Sequence, residues 1–152
     1  MTRLTSRLPL AVGVASLAAG ATTIVASIAV WQPCFDGEPE GNYGPCAVVQ
    51  SAAEFVVIFW LWAAVFIALI VSAIVTRAQP FGAVVGIAVL LALNPLGVSF
   101  AISPALFNKG EISWDTTPGT GIATGTGIAV AGILLLTTRH LTRRAASERA
   151  AV

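Results

Sequence analysis

The sequence predicts an all-α, polytopic membrane protein folded as a four-helix bundle with both termini in the cytoplasm. Three observations lead to this prediction. Of the 152 residues, 57% are hydrophobic and only 10% are charged, whereas an ordinary soluble domain carries about 25% charged residues. Four long apolar runs divide the chain, and nearly all basic residues fall on one side of them. We therefore expect one transmembrane domain, residues 1–152, surrounded by lipid.

The first three of the four runs are long enough to be helical spans, and the fourth is short for one. The four runs cover residues 8–30, 51–75, 81–102 and 121–136, and the fourth is the shortest and rich in Gly and Thr. About 20 helical residues cross a hydrocarbon core of about 30 Å. A barrel would need many alternating segments of about ten residues, a pattern that these runs lack. Helices are therefore the expected spanning structure.

The first run also has features of a secretory signal. Basic residues precede it, and Ala19-Gly20-Ala21 has the small-x-small form of a cleavage site. The apolar stretch continues to Trp31, about twice the length that a signal peptide needs. We expect an uncleaved first span; cleavage would leave three spans and an outer N-terminus.

The distribution of arginine predicts the orientation. Seven of the eight basic residues lie before the first span, between the second and third, or after the fourth, and Lys109 is the exception. The positive-inside rule then puts both termini, the short 76–80 hairpin loop and the tail, residues 137–152, in the cytoplasm. Segments 31–50 and 103–120 become outer loops. The arginine-rich composition favours a bacterial source, and hence the cytoplasmic membrane. The tail should extend the last helix past the membrane, and three of its residues are expected to contact lipid headgroups: Arg139, Arg143 and Arg144.

The first outer loop holds both cysteines, Cys34 and Cys46. Their location on the oxidising side predicts a structural disulfide between the outer ends of the first two helices. A redox pair would favour the C-x-x-C spacing, which is absent. Two cysteines without a nearby histidine do not complete a zinc site, and the acidic residues of the loop lack the order of a calcium loop.

Polar residues inside the spans suggest a candidate site. Glu54 is the only ionisable residue within a predicted span, and Asn94 precedes Pro95, which should kink the third helix. Thr22, Thr124 and Thr126, together with Thr23, should lie in the same outer half of the membrane. These groups share a cavity only if their positions around each helix point them toward the same interior. If they do not, each has a local structural role instead.

Small residues at intervals of four predict close helix packing. Gly121, Gly125 and Ala129 share a face of the fourth span, Gly82 and Gly86 repeat the pattern in the third, and Ala11, Ala15 and Ala19 repeat it in the first. Packing within the chain and packing between copies explain the pattern equally. The aromatic stripe that includes Trp62 in the second span is expected to contact core or lipid.

No catalytic set, metal-ligand cluster or phosphate loop is present in the sequence, and we expect neither an enzyme nor a cofactor or metal. A net charge of +1 gives no reason to expect nucleic acid. The leading hypothesis is an accessory, assembly or partner-binding subunit of a membrane complex, associated with lipid and with a membrane-protein partner or its own copies. One alternative is a small transporter or pore subunit that uses Glu54 and Asn94. Another is a membrane-permeabilising, holin-like protein.

Overall fold

The described part of the chain is helical. The computed structural model describes residues 3–36, 52–75, 81–97 and 118–150. Four helices cover most of these residues: α1 Arg3–Asp36, α2 Ala52–Val75, α3 Phe81–Ala92 and α4 Pro118–Ala150. A further helical stretch, residues 95–97, follows a break at residues 93–94.

Three of the helices are long and apolar enough to cross a membrane. Their candidate spans are Arg7–Val30, Val56–Val75 and Thr120–Ala145, whereas the fourth apolar stretch, Phe81–Gly97, is shorter. In the part of the chain described, the third predicted span is thus interrupted in its second half.

Two helices extend beyond their predicted spans. α1 continues through residues 31–36, which the sequence suggested as the start of a loop. Pro33 lies in its last turn, where the missing N–H removes one intrahelical hydrogen bond, and the helix ends three residues later. α4 starts at Pro118, where the missing N–H of proline costs no intrahelical bond. It then continues past the fourth predicted span, residues 121–136, through the arginine-rich tail to Ala150, as expected from the sequence.

α1 and α4 form the most extensive helix contact, and they run antiparallel. Gly13 contacts Leu136, Gly20 contacts Gly125 and Ala129, and Ser27 contacts Gly121. Residue numbers thus rise along one helix as they fall along the other. A Cβ atom built on Gly20 would lie 2.5 Å from both the Ala129 amide nitrogen and the Gly125 carbonyl oxygen. At this crossing, the two backbones approach too closely for any side chain on residue 20.

The face that α1 presents to α4 differs from the one predicted. Ala11 and Ala15 are exposed and Ala19 is only half-buried, so the alanine face does not pack within the chain, and packing between copies stays a prediction. The buried stripe of α1 instead follows alternating intervals of three and four: Gly13, Ser16, Gly20, Thr23 and Ser27. Steps of four drift by about 40° each around a helix, whereas alternating steps of three and four keep a stripe straight.

α2 and α3 complete the core on the other side of α4. Gly86 of α3 packs between Ala131 of α4 and Leu69 of α2, and Gly127 of α4 packs against Leu93. The apolar interior is one cluster of seven buried residues: Val65, Leu69, Ala83, Leu90, Ile128, Ala131 and Leu135. Most remaining large aliphatic side chains point outward, as expected for helices whose outer solvent is lipid.

Candidate functional site

Four of the six buried polar side chains among the described residues lie toward the end of the core where α4 begins. Thr23 and Ser27 of α1 and Thr120 and Thr124 of α4 are all buried, with exposed fractions of 7% or less. We call these four residues the hydroxyl layer. Ser27 packs on Gly121, and Ile58 of α2 reaches the same glycine, where a Cβ atom would lie 3.1 Å from Ile58 Cδ1. Three helices therefore meet at this layer.

Helical phase separates the threonines that the sequence grouped together. Thr22 and Thr126 are exposed, whereas Thr23 and Thr124 are buried. The hydroxyl groups of Thr22, Thr23 and Thr126 donate to the carbonyl oxygens of Ala18, Ala19 and Ile122, at 2.7–2.8 Å. Such bonds to the preceding turn let a hydroxyl exist in an apolar surrounding without a partner on another helix. Thr22 and Thr126 therefore do not line the interior.

Asn94 closes the break in the third apolar segment. Pro95 has no N–H to donate to the Leu91 carbonyl oxygen, and the Asn94 side chain supplies the missing donor through Nδ2 at 2.7 Å. The Gly97 amide nitrogen donates to Asn94 Oδ1, also at 2.7 Å. Asn94 is thus the N-cap of the following turn, with Pro95 at the first helical position. Both ends of its amide are used locally.

A second side chain binds the opened backbone from outside the helix. Trp62 Nε1 donates to the Leu90 carbonyl oxygen at 2.9 Å, which links α2 to α3 just before the break. The Trp62 ring also stacks on Phe66, with centroids 5.2 Å apart. The sequence predicted the ring as core or lipid contact, but no signal in the chain indicated the role of its N–H.

The break and the hydroxyl layer lie close to the same level of the core. Leu93, at the break, packs on Gly127, which lies one turn from Thr124 in α4. The fully buried Pro95 follows directly. The interior therefore combines an interrupted helix with buried hydroxyl groups, the arrangement from which many intramembrane sites are built.

The remaining predicted residues lie at helix contacts or outside the described part of the chain. Gly121 and Gly125 pack against α1, Gly82 and Gly86 pack against α4, and Ala129 contacts Gly20. The backbone of Glu54 lies in the first turn of α2, one turn before Ile58, but its side chain lies outside the described residues. The same holds for the Cys34 side chain and for all of Cys46.

The charged tail forms the last turns of α4. Arg143 and Arg144 are exposed and Arg139 is half-buried. Among the described residues, no group of three or more metal-ligating side chains occurs. Comparisons with models of protein families, with curated proteins and with solved structures give no match to this chain.

Proposed function

We propose that this protein is a non-catalytic, four-span subunit of the cytoplasmic membrane that assists the assembly or function of a larger membrane complex. The observation that carries the proposal is the glycine crossing of α1 and α4, where Gly20 lies against backbone atoms of Gly125 and Ala129. These small residues pack against each other within one chain. They build a rigid helical unit that leaves large aliphatic side chains for contact with lipid and with a partner.

The hydrogen bonding of the interior also favours a structural role. The Asn94 amide and the Trp62 N–H satisfy carbonyl groups near the helix break, and threonine hydroxyl groups bond their own helices. Polar groups used in this way stabilise a packed protein rather than the lining of a wide pore.

The proposed topology has both termini in the cytoplasm. The arginine distribution supports this topology. The first and last helices also run antiparallel, as they must when the chain crosses the membrane an even number of times. A disulfide between Cys34 and Cys46 would then join α1 to α2 at the outer side. Mass mapping without reduction should find these two cysteines linked, and free thiols would contradict the bond.

Purification in mild detergent tests the subunit role. A tagged chain expressed in its native membrane should recover a partner in fixed stoichiometry. A Gly20→Ile variant is the matched control, since its helices cannot pack and any protein that it still recovers has bound exposed apolar surface. Recovery of the chain only as its own oligomer would contradict the accessory role.

A transporter or pore subunit is the second candidate, and the nearness of the helix break to the hydroxyl layer favours it. The backbone of Glu54 lies one turn before buried Ile58, at the end of α2 that meets the hydroxyl layer. Ion flux into proteoliposomes that Glu54→Gln abolishes would support transport. Equal, negligible flux in both proteins would leave the accessory role as the better account.

A further inference from the structure

The hydroxyl group of Thr124 departs from the hydrogen-bonding pattern of several other threonines in the described helices. Thr22, Thr23, Thr126, Thr137 and Thr138 each donate to a carbonyl oxygen of the preceding turn, at 2.7–2.8 Å. Thr124 is fully buried, yet among the described atoms its Oγ1 has no hydrogen-bond partner. It lies in the hydroxyl layer, beside the glycine at which α1 crosses α4.

Leaving this hydroxyl dry would be costly. A buried hydroxyl without a partner loses its hydration and gains nothing in return, and lipid cannot replace the lost hydrogen bonds. Other threonines avoid the cost by bonding to their own helix. The side-chain conformation of Thr124 forgoes that bond, which is favourable only when another group takes the hydroxyl.

We propose that the Thr124 hydroxyl group binds an internal water molecule within the hydroxyl layer. Water both donates and accepts, so it can satisfy the donor and the lone pairs of Thr124 together. The Thr23 hydroxyl donates its proton to Ala19 and keeps lone pairs for a second donor. Buried water with two or more polar partners is a regular component of protein interiors.

The proposed water lies close to the break in the third apolar segment, so it affects more of the core than Thr124. Leu93 at the helix break lies against Gly127, one turn from Thr124, so the hydrated layer adjoins the point where the backbone of the third segment opens. The apolar cluster around Leu69 and Leu135 then lies beside a hydrated layer around Thr124. This assignment goes beyond the subunit role, and it holds whether the chain assists a complex or moves an ion.

Solid-state NMR of the threonine-labelled protein in lipid bilayers tests the proposal. Magnetisation that starts on water should reach the Thr124 side chain. In Thr124→Ser the same transfer should reach the serine side chain. Thr137, exposed at the surface and bonded to its own helix, provides the reference for water at the membrane interface. No transfer to Thr124 in the wild-type protein overturns the proposal, and this measurement does not depend on any variant folding.

Thermal unfolding of matched variants gives the second test. Thr124→Val keeps the shape and removes the hydroxyl, so it should lower the Tm by displacing a bound water. Thr126→Val is the control, because Thr126 is exposed and bonds its own helix, and its Tm should change less. A higher Tm for Thr124→Val means that the hydroxyl was dry. A Tm that rises with sodium but not with choline, and only when Thr124 is present, means that a cation is the occupant. Either result overturns the water site.

Discussion

A single methyl group at Gly20 should separate the two most closely packed helices. In Gly20→Ala the new Cβ would lie 2.5 Å from the Ala129 nitrogen and the Gly125 oxygen, and 2.8 Å from Ala129 Cβ. Ordinary contacts between carbon atoms occur at about 3.5–4.0 Å. The blocking atoms belong to the backbone of α4, so no side chain can rotate away. The helices must move apart by about 1 Å, judged against that contact distance.

The cost follows from this displacement. A gap of about 0.5–1 Å forfeits a quarter to a half of each dispersion contact along the crossing, and overpacking typically costs about 1–3 kcal/mol. We place Gly20→Ala at the upper end because both obstructing groups are backbone. Alanine regains about 1 kcal/mol of helix propensity over glycine. The expected net loss is therefore about 2 kcal/mol of unfolding free energy.

The assay is reversible unfolding in mixed micelles of detergent and SDS, followed by tryptophan fluorescence. Gly86→Ala is the matched control: the same methyl would lie 3.3 Å from Ala131 Cβ and from the flexible end of Leu69. It should change the stability by less than about 1 kcal/mol in either direction, because propensity offsets mild crowding. Ala15→Leu, on the exposed face of α1, should also be nearly neutral.

Two results would refute the reasoning. Gly20→Ala could be as stable as the wild-type protein, which would mean that α1 and α4 do not approach this closely. Alternatively, Ala15→Leu could destabilise the protein more than Gly20→Ala, which would show that the alanine face predicted from the sequence is the packing face.

Two further predictions concern the helix break. Trp62→Phe keeps an aromatic side chain, although a smaller one, and leaves the Leu90 carbonyl oxygen without its donor; it should cost about 1–3 kcal/mol in the same unfolding assay. Trp60→Phe is the control, since Trp60 is 66% exposed; equal losses in the two variants would argue against the interhelical bond. Asn94→Ala removes the cap of the Gly97 amide and should cost about 0.5–2 kcal/mol, with faster hydrogen exchange at Gly97. Unchanged exchange there would contradict the capping role.

The sequence predicted the helical class and the approximate spans because these depend on local properties. Uncharged residues 8–30 form a helix whatever its neighbours are, since lipid requires every backbone group to be paired within the segment. The kink expected at Asn94-Pro95 is present as a break in the helix for the same local reason. The extension of the last helix into its polar tail, expected from the sequence, is present in α4, which runs to Ala150.

The candidate site was predictable only in outline. Thr23 and Thr124 lie in the interior, whereas Thr22 and Thr126, one and two residues away along their helices, are exposed. The stripe of small and hydroxyl residues from Gly13 to Ser27, with alternating spacing, was a usable signal for this phase. The alanines at regular intervals of four competed with it, and residue size alone did not separate them.

The sequence by itself thus determined that the chain is helical and which segments are apolar enough to cross a membrane. Only the tertiary structure decided that Gly20 crosses α4 at Gly125, that Trp62 pairs with the Leu90 carbonyl oxygen, and that Thr124 is buried. The physical reason is that hydrophobicity and backbone pairing act within a segment. The choice of an inward face depends on which neighbouring helix can approach it, and that choice exists only once the helices pack together.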